Sequence, residues 1–161
     1  MKKYFGNLVA VLLIFLSVSC VWSQEPSSAV NFKLPDTNGN MFNLGDCINN
    51  KEPVILFFWT TWCPYCQIEL RSLNEIYPQF KKEGVKLVSI DIGESGDKVD
   101  SFIKAYKLNF KVLLDVNSAV AKSYGILGVP TYILIDRNGK IRATENFFPK
   151  DKYKELILQI N

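Results

Sequence analysis

Apolar and polar residues are arranged in short runs along the chain, and the runs are of two kinds. Those of the first kind are continuous and rich in β-branched and aromatic side chains, which predicts core strands over residues 54–59, 85–92, 111–114 and 131–135. In those of the second kind apolar residues recur three or four positions apart, which predicts helices over residues 64–83, 97–107, 118–124 and 149–160. In the first of these helices the apolar stripe is Ile68, Leu70, Leu73, Ile76, Tyr77 and Phe80.

The alternation of strands with helices fixes the class of fold. Residues 32–44 alternate around Asn38-Gly39, a strong hairpin turn, so a β-hairpin precedes the first core strand. A second turn at residues 136–139 leads to a returning strand over residues 140–144. We therefore predict an α/β fold with a mixed central sheet and helices on both faces.

The first part of the chain has the pattern of an export signal. Lys2 and Lys3 precede an unbroken apolar run, Leu8 to Leu16, and small residues follow it. The run is shorter than the ~20 apolar residues of a membrane-spanning helix. We predict a signal peptide over residues 1–23, a linker over 24–31 and one domain over 32–161.

Two cleavage positions are open. Ser19-Cys20 resembles the lipobox of bacterial lipoproteins, in which case the signal ends at residue 19 and Cys20 carries a lipid anchor. Cleavage before Gln24 fits the small-residue rule of ordinary signal peptidase. With either cleavage the domain is exported, to the bacterial periplasm or anchored in the envelope, where disulfides persist.

Composition excludes several function classes. The chain has 161 residues and no histidine, which excludes Ser-His and Cys-His catalytic pairs and His-ligated zinc. Its net charge is +3, and it falls to +1 without Lys2 and Lys3. A nearly neutral domain gives no electrostatic reason to expect nucleic acid as a partner.

The candidate chemistry lies in Trp62-Cys63-Pro64-Tyr65-Cys66, where a strand ends and a helix begins. Free N–H groups and the positive end of the helix dipole favour a thiolate at such a position. Pro64 suits the first helical turn, where its missing N–H costs nothing. We predict that Cys63 is the exposed, attacking thiolate and that Cys66 is the shielded thiol that resolves the mixed disulfide.

Other interpretations of the pair remain open at this point. A structural disulfide is one, although so short a loop would constrain little of the unfolded chain. Zinc needs four ligands, and the exported chain offers only Cys47 besides the pair, so we predict no metal site of that kind. Two-coordinate Cu(I) suits a pair of thiolates, which makes a copper chaperone an alternative function.

The segment from Phe57 to Cys66, together with Gly128-Val129-Pro130-Thr131, resembles the thioredoxin superfamily. Within it the chain is similar to the TlpA/ResA-like extracytoplasmic thiol-disulfide oxidoreductases. The hairpin at residues 32–44 looks like the N-terminal addition of that branch, and residues 88–114 look like its central insertion. The resemblance covers nearly the whole exported domain and implies a thioredoxin-like fold.

The resemblance also implies roles for particular residues. It implies a redox-active disulfide between Cys63 and Cys66, with no other cofactor, and a cis peptide before Pro130 that packs beside it. It implies that Glu69, three residues after Cys66 on the same helix face, exchanges a proton with that thiol. The residues expected to contact the substrate are Trp62, Pro64, Tyr65, Val129, Pro130 and Thr131.

Two further positions qualify this assignment. The buried acid that many thioredoxins carry on the strand before the motif is absent, because Phe57 occupies that place. Cys47 is an odd thiol, which we interpret as a small buried hydrophobe rather than a redox residue.

We therefore predict a monomeric enzyme that exchanges disulfides with exported proteins, acts as a reductant and receives electrons from a membrane thiol donor. Its substrates would be apocytochrome c cysteines or envelope proteins that need disulfide repair. A peroxiredoxin-like peroxidase is an alternative, since Thr60 and Cys63 have the Thr-x-x-Cys spacing of that class. A surface lipoprotein that uses the fold for contacts alone is another.

Overall fold

A computed structural model describes residues 27–158 and shows a five-stranded mixed sheet with a small hairpin beside it. The hairpin strands are β1 (Lys33–Pro35) and β2 (Met41–Asn43). The strands of the main sheet are β3 (Val54–Trp59), β4 (Lys86–Ile92), β5 (Val112–Asp115), β6 (Thr131–Ile135) and β7 (Ile141–Glu145). Their order is β5-β4-β3-β6-β7. β4 pairs in parallel with both β3 and β5, whereas β6 pairs antiparallel with both β3 and β7. The predicted α/β class and thioredoxin-like fold are confirmed.

Helices cover both faces of this sheet, as the sequence pattern predicts. One face is covered by α2 (Pro64–Glu83), α3 (Gly96–Tyr106) and α5 (Tyr153–Ile157). The other is covered by α1 (Leu44–Asn49), α4 (Ala119–Ser123) and the hairpin. Because β3 lies in the middle of the sheet, all six of its side chains are buried, which explains its unbroken apolar sequence.

The core explains how α2 is held in place. Leu70, Leu73 and Phe80 are buried against the sheet, and the helix ends at Gly84, whose φ of 68° is the left-handed conformation that glycine adopts readily. Ile68 was expected on this buried stripe, but it is 61% exposed. Its position lies between the buried Cys66 and Leu70 and therefore faces away from the sheet.

Two local expectations about helices were wrong. The sequence pattern did not predict α1, a six-residue helix directly after the hairpin, whose N-cap is Asn43. The last helix was expected over residues 149–160, yet within the described part of the chain it spans Tyr153–Ile157. Phe148 to Lys152 instead form turns, in which the backbone N–H of Tyr153 donates to the carbonyl of Pro149.

Only part of the predicted N-terminal region lies within the described residues. The predicted signal peptide and Cys20 lie outside the described residues. Residues 27–29 of the predicted linker lie beside residues 139–141, where β7 begins: the N–H of Ala29 donates to the carbonyl of Gly139 and that of Ile141 to the carbonyl of Ser27, both at 2.8 Å. Within residues 27–158 there is no helix that is long and apolar enough to cross a membrane.

Candidate active site

The cysteine pair lies at the carboxyl end of β3, where the chain turns into α2. Cys63 is the N-cap of that helix, Pro64 occupies its first turn, and Cys66 is one turn inside it. The two residues form a disulfide, with their Cα atoms 5.2 Å apart. The strand-to-helix placement predicted from the sequence is confirmed.

The helix terminus provides an electrostatic environment that favours negative charge on Cys63. Its Sγ accepts a hydrogen bond from the backbone N–H of Cys66 at 3.1 Å, in the position of a capping side chain. The unpaired N–H groups of the first turn and the helix dipole both favour an anion at this position. The arrangement can therefore stabilise the thiolate that thiol-disulfide exchange requires.

Both cysteines are buried while the disulfide is closed. Cys66 is fully buried, as expected, but Cys63 is only 4% exposed, although it was predicted to be exposed. A neighbouring loop lies against it, with the carbonyl oxygen of Val129 3.8 Å from its Sγ. The resemblance implied a loop beside the disulfide but not the extent to which it buries Cys63, because the loop comes from a segment 66 residues further along the chain.

That neighbouring loop contains the predicted cis peptide, between Val129 and Pro130. The hydroxyl of Thr131 donates to the carbonyl of Gly128 at 2.7 Å, and the side-chain amide of Asn146 donates to the carbonyl of Pro130 at 3.0 Å. These two bonds fix the loop at the start of β6. The structure thus brings Val129 and Pro130 beside Cys63, as the resemblance implied.

Apolar side chains surround the pair on the surface. Trp62 is 67% exposed and Tyr65 63%, so neither is a core residue, whereas Trp59 is fully buried. Leu127, which the sequence did not single out, is fully exposed on the loop before the cis peptide. A groove of about 420 Å³ between Trp62 and Leu127 is lined by residues of this loop and of α4. Exposed bulky side chains beside a reactive group are typical of a surface that binds another molecule.

Glu69 is held in place by residues from two other elements. Its carboxylate accepts hydrogen bonds from the hydroxyl of Tyr132 at 2.7 Å and from the N–H of Phe148 at 3.2 Å. Burial, and then the neighbouring Glu69 carboxylate, raise the pKa of Tyr132 well above its usual range, so its hydroxyl remains a donor. Glu69 is therefore an oriented carboxylate, not a freely solvated one, on the helix that carries Cys66.

Two buried acids near the site were missed by the sequence reasoning. Asp91 is fully buried near the end of β4, and Glu94 is 8% exposed in the loop that follows. Glu94 accepts hydrogen bonds from the N–H and the hydroxyl of Thr61, at 2.6 and 2.8 Å, and pairs with Lys98. The available signal was Asp91 itself, a charged residue inside the apolar stretch VSIDI. Glu94 thereby holds the loop that leads into Cys63.

Cys47 lies apart from this site. It is buried on α1, on the opposite face of the sheet from Cys63 and Cys66. Burial, and then the charge of Glu52, raise the pKa of its thiol to about 11, which keeps it protonated and unreactive. This supports its interpretation as a small buried hydrophobe. Among the described residues, no group of three or more Cys, Asp and Glu side chains is placed to hold a metal ion.

Comparisons with known proteins agree with this geometry. Residues 27–144 match the AhpC/TSA family. Thiol-disulfide oxidoreductase ResA of Bacillus thuringiensis subsp. konkukian (strain 97-27) is 38% identical over 133 residues, 82% of this chain and 76% of the relative.

Solved structures give the same result. StoA from Bacillus subtilis is 30% identical, with a TM-score of 0.67, and the match covers 81% of this chain and 98% of that one. The thioredoxin domain of a thiol-disulfide oxidoreductase from Bacteroides vulgatus is 28% identical, with a TM-score of 0.70, over 81% and 93% of the two chains. The chain therefore belongs to the thioredoxin-like AhpC/TSA family and, within it, to the ResA-like thiol-disulfide oxidoreductases.

Proposed function

We propose that this enzyme is exported and reduces disulfides in other exported proteins through Cys63 and Cys66. The observation that carries the proposal is the position of Cys63: its Sγ is at the N-terminus of α2, bonded to the Cys66 N–H and beside the backbone of Val129. A thiolate there can attack a disulfide that a bound chain presents.

The reaction runs in two exchanges. The Cys63 thiolate attacks one sulfur of the substrate disulfide, a mixed disulfide forms, and the other substrate sulfur leaves as a thiolate that takes a proton from solvent. Cys66 then loses its proton to Glu69 and attacks the Cys63 sulfur, which releases the second substrate sulfur as a thiolate. This thiolate takes up the proton that Glu69 held and leaves as a thiol. Two electrons have passed to the substrate, and the enzyme disulfide has closed.

Substrate binding would use the loop beside the pair. An extended segment of substrate can pair with the backbone of Val129, whose carbonyl oxygen lies 3.8 Å from the Cys63 Sγ. Trp62, Tyr65 and Leu127 supply apolar contacts around it. Pro64 starts the helix beside this surface, and Thr131, which is buried, positions the loop through its hydrogen bond to the carbonyl of Gly128.

The cycle needs an external source of electrons. No flavin or nucleotide fingerprint occurs in the sequence, so we propose that a membrane thiol donor reduces the closed disulfide. The enzyme would act as a monomer in the periplasm or at the envelope, held at the membrane by a lipid on Cys20 if cleavage occurs at residue 19. Its substrates would be apocytochrome c cysteines or misoxidised envelope proteins.

Trapping of the mixed disulfide tests this proposal. In Cys66→Ala the second exchange is impossible, so substrate proteins should remain linked to Cys63 and run as dithiothreitol-sensitive adducts on non-reducing gels. Cys63→Ala/Cys66→Ala should give no adducts, and Cys47→Ala/Cys66→Ala should give the same adducts as Cys66→Ala. Absence of adducts from Cys66→Ala in the native envelope would contradict the exchange mechanism.

A measured reduction potential fixes the direction of electron flow. A value near about −270 mV or lower would identify a reductant, and one near about −120 mV would identify an oxidant. The oxidant value would contradict the reductive role while leaving the exchange mechanism intact.

A peroxidase is the second candidate, favoured by the AhpC/TSA match and by the position of Thr60, which is buried three residues before Cys63. It predicts consumption of hydrogen peroxide coupled to oxidation of the pair, without protein adducts. A copper chaperone predicts one Cu(I) per reduced pair and slow reduction of insulin, so the same purified protein distinguishes all three functions.

A further inference from the structure

Asp91 is a buried carboxyl group on the same face of the sheet as the cysteine pair. It pairs in register with Trp59 on β3 and with Leu114 on β5. Laterally paired residues of adjacent strands point to the same face, and Trp59 and Leu114 belong to the core cluster that contains Cys63 and Cys66. Asp91 is therefore enclosed in the part of the core against which the active-site helix packs.

The polar neighbour of this carboxyl group is Glu94, whose carboxylate is placed to share its proton. Both of its oxygens are fully buried and make no other hydrogen bond within the described part of the chain. The indole N–H of Trp59 on β3 and the hydroxyl of Ser89 on β4 are also buried without a partner there. An ionised carboxylate without partners is very costly in such a place, whereas a neutral acid is tolerated. A redox or catalytic role is one of the recognised reasons for which a native structure keeps such a group.

The charged and titratable groups around Asp91 are few. Glu94, in the loop after β4, bonds to Thr61 and pairs with Lys98 of α3, so its own negative charge is balanced. Trp59 and Leu114, on the flanking strands, and Phe102, on α3 against Trp59, are uncharged. The other titratable groups on this face are the thiols at the start of α2, Tyr132 and Tyr153. The two tyrosine hydroxyls donate to the carboxylates of Glu69 and Glu83.

These surroundings determine the protonation state. Burial, and then the neighbouring Glu94 carboxylate, raise the pKa of Asp91 to about 8, while Glu94 has its pKa lowered to about 2. Burial alone would raise the pKa of Glu94, but hydrogen bonds with Lys98, Asp91 and Thr61 lower it by more. Asp91 is thus neutral at pH 7, and Glu94 is ionised.

We propose that Asp91 is a positioning residue for thiol-disulfide exchange: it holds a proton while the disulfide is closed, and its charge is coupled to that of the Cys63 and Cys66 thiols. The sequence had suggested that a buried acid was missing at Phe57, on β3. Asp91 places one on the neighbouring strand, two residues beyond Ser89, the register partner of Phe57.

The sign of the coupling follows from electrostatics. Reduction of the disulfide and ionisation of Cys63 add a negative charge to this face, which favours the neutral form of Asp91. The pKa of Asp91 is therefore higher in the reduced protein than in the oxidised protein. By linkage, ionisation of Asp91 disfavours the thiolate to the same degree. A plot of the reduction potential against pH should therefore change slope, or bend, at the pH where Asp91 titrates.

The test is a ¹³C titration of the Asp side-chain carboxyl groups in the purified protein between pH 5 and 9.5, once oxidised and once reduced. Loss of one signal in Asp91→Asn assigns it, with Asp97→Asn, an exposed acid on α3, as the matched control. If Asp91→Asn does not fold, through-bond correlation to the Asp91 amide makes the same assignment. The reduction potential against glutathione is measured over the same pH range for the wild type and both variants.

We expect an Asp91 signal that titrates near pH 8 in the oxidised protein and about one pH unit higher in the reduced protein. The bend in the potential should disappear in Asp91→Asn and remain in Asp97→Asn. Equal titration in the two redox states, or an Asp91 that is ionised at pH 6, would overturn the proposal. No substrate takes part, so this outcome is independent of whether the proposed disulfide reductase function holds.

Discussion

Replacement of Asp91 by Asn should alter the free energy of unfolding by an amount that depends strongly on pH. In the folded protein, burial and then Glu94 raise the pKa of this carboxyl group to about 8, whereas the ordinary value is 3.8. Between these two values the unfolded chain is ionised at this position and the folded chain is not. The unfolded state is therefore favoured progressively as the pH rises, and the Asn variant lacks this effect.

The magnitude follows from the two pKa values. One pKa unit corresponds to about 1.4 kcal/mol, and the linkage integral from pH 5 to pH 8 gives a loss of about 3.5 kcal/mol in the wild type relative to Asp91→Asn. Differences in packing or hydrogen bonding between Asp and Asn are the same at both pH values. They cancel when the effect of the substitution at pH 5 is subtracted from its effect at pH 8.

The assay is urea unfolding of the oxidised proteins at pH 5 and pH 8, followed by tryptophan fluorescence. Oxidised protein is used because closed disulfides do not titrate, so the thiols of the pair add no pH dependence. Asp97→Asn should show no more than a small difference between the two pH values. If Asp91→Asn changes the unfolding free energy equally at pH 5 and pH 8, the buried neutral acid does not exist.

Two other substitutions test the hydrogen bonds around the site. The pKa of Glu94 is lowered to about 2 from an ordinary 4.5 because Lys98, Asp91 and Thr61 together outweigh the effect of burial. The ionised Glu94 side chain therefore contributes to the free energy of unfolding above pH 4.5, and this contribution is lost as the pH falls through 2. Glu94→Gln should therefore lower the free energy of unfolding by about 2–3 kcal/mol at pH 7 and by about half as much at pH 3, and an equal loss in urea unfolding at both pH values would contradict this. Tyr132→Phe removes the 2.7 Å hydrogen bond to Glu69 but keeps the ring that stacks on Phe57, so a loss of about 1–2 kcal/mol is expected. Stopped-flow kinetics should show slower release of the mixed disulfide in this variant with unchanged alkylation of Cys63, and an unchanged release rate would show that Tyr132 does not orient Glu69.

The sequence was sufficient for the parts of the fold that depend on local pattern. The unbroken apolar run of β3 and the position of Pro64 at the start of α2 each have one strong physical interpretation, and the structure confirms both. The resemblance added the cis peptide before Pro130, which no local pattern specifies, because most X–Pro bonds are trans.

What the sequence could not provide depends on contacts between distant segments. Cys63 is covered by the Val129 loop, and Glu69 is oriented by Tyr132 and the Phe148 N–H, from residues more than 60 positions away. The roles of Asp91 and Glu94 were missed for a related reason. A carboxylate in sequence is presumed to be solvated, and only the register of β4 between two core strands shows that Asp91 is enclosed.

The central claim is that Cys63 is ionised near neutral pH because it caps α2. Its most direct test is the rate of iodoacetamide alkylation of the reduced protein as a function of pH, with mass spectrometry to identify the modified residue. We predict that Cys63 reacts first and that its thiol pKa lies below that of free cysteine, because the helix N-terminus stabilises the thiolate. A rate that rises only near pH ~8.5, as for free cysteine, with Cys63 and Cys66 reacting alike, would contradict the account.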